Sequence, residues 1–481
     1  MKLPLPSRGA LRFLLAAGVV SLLSPAWSQS ADDKEKEEEA KRRLQEMIDN
    51  SRLPTGPRSL DPLVADAARL FGTGTDDFQK TFRPLRFEWT SSTKTQARFA
   101  ETMIQGNQMT LFAGKLEPAE ALVDFTDGKL SQITLLIFTR GDARKEIGPD
   151  DFAKMVADSK AGVSQALGDP GKDRGASTTG AVRGADGWVW SRPDVAALLE
   201  WSSQRVKDET GASTRRAFQA EFLRLRLVPP AKPGVGTKPS PGATVKRTEL
   251  AAHVKKDEAS GDVWVADVPM VDQGQKGYCV VATCERLFRF YGMQVDQHEL
   301  AQVAESSSGG GTDPDKMVDA LRKLQMRLKL RMRELIGWDY RTFERELEVY
   351  NRGAKRKGVK IFDTKNYLFS QGVYAQMDKE VLREAKCRGA GFDKFKAWIK
   401  ENTSSGVPLL WALEVGVYPE QGMENPQQGG GHMRLIIGFN EKKGQVIFTD
   451  SWGAGHEMKR MKIDDAFAVT AGLYLVEPNT N

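Results

Sequence analysis

The sequence predicts an α+β protein with two folded domains. Three observations carry that expectation. A chain of 481 residues exceeds what one ordinary hydrophobic core serves. The stretch PPAKPGVGTKPSPG at 229–242 reads as a semi-rigid linker. On both sides of it, apolar residues recur with helical spacing in some segments and with strand spacing in others. Hydrophobic content of 40% and charged content of 28% fit a globular protein. The expected layout is a signal segment at 1–28, a charged leader at 29–54, an α+β domain at 55–228, a linker at 229–245 and a second domain at 246–481.

Lys2, Arg8 and Arg12 precede or enter the apolar run LRFLLAAGVVSLL, and Ala26 and Ser28 follow in PAWSQS. That order reads as a secretory signal peptide, predicting a secreted or periplasmic protein with no stable membrane insertion after its removal. Removing it leaves 67 basic against 64 acidic residues. A net charge of +3 is too balanced to point to nucleic acid. The leader places acids first and Lys41, Arg42 and Arg43 after them, at spacings that suit a partly helical, solvated segment.

In the first domain, Asp61-Pro62 can open a helix that stops at Gly72. ALVDF and LSQITLLIF flank TDGK, which predicts a hairpin turning at Asp127-Gly128. Phe152, Met155, Val156, Val163 and Leu167 form a helical stripe ending at Gly168. In FQAEFLRLRLV the apolar alternation slips by one residue near Phe222 and Leu223, which predicts a bulge. The domain has neither Cys nor His, and its Trp188, Trp190 and Trp201 read as core packing.

The second domain opens with QGQKGYC at 273–279, followed by VVATCERLFRFYG. Val281, Cys284, Leu287, Phe288 and Tyr291 share a helical face, and Gly292 supplies the stop. Asp296 and Glu299 suggest a capping box for a second helix. The SSSGGG loop at 306–311 lacks the Gly-Lys-Ser/Thr ending of a phosphate cradle. Helical patterns continue through WDYRTFERELEVY and FDKFKAWIKEN, and the basic RGAKRKGVK at 352–360 reads as a solvated loop. VPLLWALEVGV, HMRLIIGF, QVIFTD and GLYLVEP then read as strands. Helices are expected first and a sheet after.

Three cysteines, Cys279, Cys284 and Cys387, do not make a disulfide scaffold, and a Cys284–Cys387 pair is left open. Of four histidines, His253 and His298 sit among polar residues and suit the surface. His432 instead begins a strand, and Asp450 ends the next one. In a hairpin the start of one strand faces the end of its neighbour, so the two can meet with the carboxylate fixing the imidazole. Cys279 at a helix N-terminus feels the positive end of the helix dipole, which favours thiolate. Gln273 and the Cys279 N–H can supply two donors to an oxyanion.

QGQKGYC before a helix, GHMRLIIGF and DSWG, in that order, resemble the papain-like cysteine peptidases. With aspartate as third member they are more similar to the bacterial bacteriocin-processing (double-glycine leader) peptidases and their secreted relatives. The resemblance covers about 260–480. It implies a helical half and an antiparallel β half, a peptide or protein substrate, and no metal or cofactor. It further implies that Cys279 attacks the carbonyl, His432 moves protons, Asp450 orients the ring, Gln273 holds the oxyanion and Trp452 shields the His–Asp bond. Two other readings keep the same residues: a transglutaminase-like acyltransferase, and an inactive peptidase-like binding module whose working part is the first domain.

Overall fold

The computed structural model describes residues 57–100, 108–143, 146–179, 181–207, 216–230, 243–274, 277–306, 311–312, 314–337, 340–364, 372–420 and 430–479. The expected signal peptide and charged leader, most of the linker and most of the SSSGGG loop lie outside those residues. The fold is α+β, with helices and antiparallel sheets in both halves. Among the described residues, no helix is long and apolar enough to cross a membrane.

The first half is built on one antiparallel sheet. Its order runs Glu88–Trp89, Gln96–Ala100, Glu120–Thr126, Lys129–Thr139, Arg216–Val228, Ala196–Lys207, Val182–Ser191, Lys172–Asp173, with Ser177–Thr179 paired to Val182–Ser191. The hairpin forms where the sequence expects it, with Thr126 opposite Lys129. Asp127 and Gly128 adopt φ of 51° and 72°, the left-handed pair a two-residue turn requires. The helix Pro149–Leu167 ends on Gly168 at φ 64° and packs Phe152, Val156, Val163 and Leu167 onto the sheet. The expected helix at 61–72 is instead two short pieces, Asp61–Ala65 and Ala67–Leu70.

The predicted bulge is present, at Glu221. Ser202 pairs with Phe222 and Ser203 with Ala220, leaving Glu221 without an opposite residue. Ala220 before it and Leu223, Leu225 and Leu227 after it therefore face the same core. Phe222 turns to the other face, where it packs with Val182 and Ala185 against Val303 of the second half. Arg224 on that face is fully buried. Thus both faces of the strand are covered.

The second half carries the larger core. Its sheet runs Val254–Asp257, Asp262–Val265, Gly430–Asn440, Leu409–Val415, Thr470–Pro478, Leu330–Ile336, while Gln445–Thr449 pairs with Gly430–Asn440 and Lys459–Lys462. The order "helices first, sheet after" needs correction. Three strands before residue 337 join the sheet; two are only four residues long, and charges interrupt Val254–Asp257 and Leu330–Ile336, so none shows the long apolar run that marks a strand. The basic 352–360 segment is also corrected. The helix Tyr340–Lys357 extends into it and Gly358 ends that helix at φ 68°. Its charges point outward while Ala354 is buried.

The contacts group residues 56–481 into one unit holding both cores. Where the halves meet, the second helix, Gln297–Val303, is capped by Asp296, which accepts from the N–H of His298 and Glu299 at 3.0 Å each. The capping box is not completed. Glu299 reaches across to the first half, accepting from the Ala181 N–H and from Arg224. His298, expected at the surface, is buried beside the Tyr278 ring, because the first half covers the helix that carries it.

Candidate active site

The helix Cys279–Phe290 begins at the thiol, with Tyr278 as its N-cap. It is buried on every side, not along one stripe, and its polar residues serve as ties. Thr283 donates to the Met433 carbonyl at 3.0 Å. Arg286 donates through Nε to the Pro269 carbonyl at 2.8 Å and through Nη2 to Thr449 Oγ1 at 2.6 Å. Its Nη1 donates to the Asp450 carbonyl at 2.5 Å. The helix therefore grips both strands that carry the other site residues.

Those strands pair as the sequence suggests, with Leu435 opposite Thr449. His432 and Asp450 meet across them, Nε2 lying 2.7 Å from Oδ1. Cys279 hydrogen-bonds to the His432 side chain and also receives the Met433 N–H. Trp452 stacks on the imidazole, ring centroids 4.5 Å apart and 26° from parallel. Gln273 is buried on the turn before the helix. Its side-chain carbonyl accepts from the Ser451 hydroxyl at 2.8 Å, and its backbone N–H donates to the Ser451 carbonyl at 2.9 Å. Cys279, His432, Asp450 and Trp452 thus form one linked group, and Gln273 joins it through Ser451.

Several neighbours were not singled out from the sequence. Ser451 holds Gln273 and also donates its N–H to Asp450 Oδ1 at 2.8 Å. Arg434, fully buried, donates from Nε to Asp450 Oδ2 at 2.6 Å and from Nη1 to Glu420 at 2.7 Å. Lys459 lies 3.9 Å from the same Oδ2 and 4.8 Å from the Trp452 ring centroid. A signal for Arg434 existed. It stands two residues after His432 in a strand, hence on the same face, inside an otherwise apolar run.

Electrostatics follow from these contacts. Burial alone would raise the Cys279 pKa, but the hydrogen bond and charge of His432 outweigh it, and the thiol lies below its ordinary value. Burial opposes the charged form of His432, yet the Asp450 charge and hydrogen bond, with Cys279, raise the imidazole to about 9. Asp450 also loses solvation. His432 and Arg434 more than restore its charge, holding it well below the carboxylate range. By contrast Cys284, deep in the core, is pushed up to about 12 by burial, and Cys387 to about 11. All three cysteines are free, so the Cys284–Cys387 pair does not form. A thiol of lowered pKa against a protonated imidazole, beside a side-chain amide, is equipped for attack on an acyl carbon.

Comparison with known proteins bears on this group. No curated protein matches the chain. Among solved structures, xylellain, a cysteine protease from Xylella fastidiosa, is 12% identical with a TM-score of 0.24, covering 49% of this chain and 91% of that one. The model of the Peptidase_C39 like family matches residues 265–474, a span that includes Gln273, Cys279, His432 and Asp450. Residues 265–474 of this protein are therefore related to the papain-like cysteine peptidases.

Proposed function

We propose that the protein is an exported cysteine peptidase that hydrolyses peptide bonds through Cys279, His432 and Asp450. The observation that carries this reading is the meeting of a thiol of lowered pKa, a protonated imidazole and a buried carboxylate, beside Gln273. The Cys279 thiolate attacks the carbonyl carbon, and the oxyanion is held by the Gln273 amide and the Cys279 N–H. The His432 imidazolium gives its proton to the leaving amine as the C–N bond breaks, leaving a thioester. The neutral imidazole then takes a proton from water, whose oxygen displaces the thiolate and frees the acid. Asp450 keeps the ring oriented throughout. Arg434 and Ser451 hold that carboxylate.

Labelling with a thiol-directed epoxide, read by intact mass and peptide mapping, tests the assignment. One equivalent is expected on Cys279 and none on Cys284 or Cys387. Cys279→Ala should abolish turnover of a peptide library while leaving the melting temperature within about 2 °C, which for a chain of this size limits any loss of stability to roughly 2 kcal/mol. Labelling of Cys279 no faster than of a free peptide thiol would sink the proposal. Transfer of the acyl group to a labelled amine in preference to water would replace the peptidase with an acyltransferase.

A further inference from the structure

The first half offers no His and no Cys to the chemistry, yet it presses on the turn that carries Gln273. Arg98, on strand Gln96–Ala100, is anchored by the buried Glu120 of the adjacent strand, whose carboxylate accepts from Nε. Its Nη1 faces Asp272 Oδ2 at 3.4 Å. The other oxygen of Asp272 accepts from the Gly274 N–H at 2.8 Å, so the residues on either side of Gln273 are fastened to one carboxylate. Gly274 has φ of +68°, and a Cβ there would lie 2.5 Å from Arg98 Nη2. Only glycine satisfies both demands.

Two more contacts flank the same place. Gly141 packs on the ring of Tyr278, the residue before the nucleophile, so closely that a Cβ would sit 2.4 Å from the ring. The Ser92 N–H donates to Glu457 at 2.9 Å, just past the loop that carries Trp452. Charge and shape thus bear on Asp272, Gly274 and Tyr278 from the first half, while a backbone hydrogen bond ties that half to Glu457 near Trp452. From the second half, Ser451 holds Gln273, the Gln297 side-chain amide donates to the Asp272 carbonyl at 3.4 Å, and His298 packs beside Tyr278.

We infer that the N-terminal half is a brace for the oxyanion turn and that Arg98 is its positioning residue, so turnover requires this half in place. This rests on the peptidase reading. The physical reason is that an oxyanion donor works only when held to a few tenths of an ångström. A turn with glycines at 274 and 277 is too free to provide that by itself. An inhibitory contact would behave in the opposite way, its loosening raising activity.

Asp272→Asn, made in the full chain, is the cleaner test. It keeps an acceptor for the Gly274 N–H and leaves the Arg98–Glu120 pair intact, removing only the charge that faces Arg98. Arg98→Met is the second variant. It also strips the buried Glu120 of its cation and is the more prone to unfold. In Asp272→Asn we expect kcat to fall about 5- to 20-fold with KM within twofold. Amide hydrogen exchange over 272–279 should quicken at least fivefold. Alkylation of Cys279 by iodoacetamide needs the thiolate but no oxyanion hole, so its rate and pH profile should stay as in wild type. Unchanged exchange together with unchanged turnover overturns the brace. A rise in turnover overturns it in favour of an inhibitory contact, and alkylation falling in step with turnover reduces it to general damage. If the wild type hydrolyses no peptide while exchange still quickens, the peptidase reading fails and the brace stands.

Discussion

Each half of the molecule buries an arginine completely and surrounds it with carboxylates, but only one of these clusters sits beside a nucleophile. Arg224 in the first half donates to Glu200, Asp296 and Glu299, and Glu200 is further held by Arg174 and Arg226. Burial penalises the Glu200 charge, but those cations keep it ionised, below its usual range. Arg434 in the second half has the same burial and a similar partner set, Asp450 and Glu420. The difference is that Asp450 also touches an imidazole, His432, whose charge changes near about 9. The Arg224 cluster has no group that changes charge there, so it joins surfaces. The Arg434 cluster bears on the charge state of the Cys279–His432 pair proposed to carry the reaction. Burial and ion pairing alone do not mark a functional site. A titratable nucleophile within reach does.

Replacing each arginine with methionine tests that contrast with the largest effects. Both variants should lose about 3–5 kcal/mol of unfolding free energy in urea titrations, because each leaves buried carboxylates short of a cation. Only Arg434→Met should move the pH profile of Cys279 alkylation. With that positive charge gone, Asp450 favours the imidazolium more strongly, so the alkaline limb near about 9 should shift upward. An equal shift in Arg224→Met would erase the distinction between the clusters.

Gln273→Ala sharpens the comparison from the other side, since it removes a polar group that bears on chemistry and hardly on folding. The expected loss is about 10²–10³ in kcat, roughly 2.7–4 kcal/mol of transition-state stabilisation, with the alkylation rate retained. A loss under tenfold removes Gln273 from the oxyanion hole.

The smallest expected effect is in stability against pH. His432 is raised to about 9 in the folded chain, above its ordinary 6.5. It therefore binds its proton more tightly when folded, and its stabilisation is complete below pH 6.5 and lost as pH rises through about 9. Lys459, pushed down to about 8 by burial, acts in the opposite sense above that pH. The informative quantity is thus the difference between wild type and His432→Gln. That gap should narrow by roughly 1–2 kcal/mol between pH 6.5 and 9.5, a pKa unit being worth about 1.4 kcal/mol before coupling to Cys279 is discounted. A gap that stays constant means that His432 is not charged at neutral pH.

Local features of the fold were legible in the sequence. The Asp127-Gly128 turn, the Gly168 and Gly292 stops and the Glu221 bulge each follow from backbone conformations few residues adopt, or from a slip in alternation. The site was legible for a similar reason. Cys279 marks a helix start, and His432 and Asp450 fall at facing ends of a hairpin. The misreadings share one cause. His298 looks like a surface residue, and Glu299 like a capping-box partner, until the first half covers the helix that carries them. Strands such as Val254–Asp257 gain their identity from the edge they join.

The sequence by itself determined the Asp127-Gly128 turn, the stops of the helices Pro149–Leu167 and Cys279–Phe290, and that His432 can meet Asp450, because those depend on neighbours a few residues away or on the pairing of adjacent strands. Only the tertiary structure decided which charges are buried and with whom, and that Arg98 rests against the turn of Gln273. Those outcomes join residues from 16 positions apart, for Arg434 and Asp450, to 174, for Arg98 and Asp272, and the free energy of a buried charge is set by whichever partner the fold delivers.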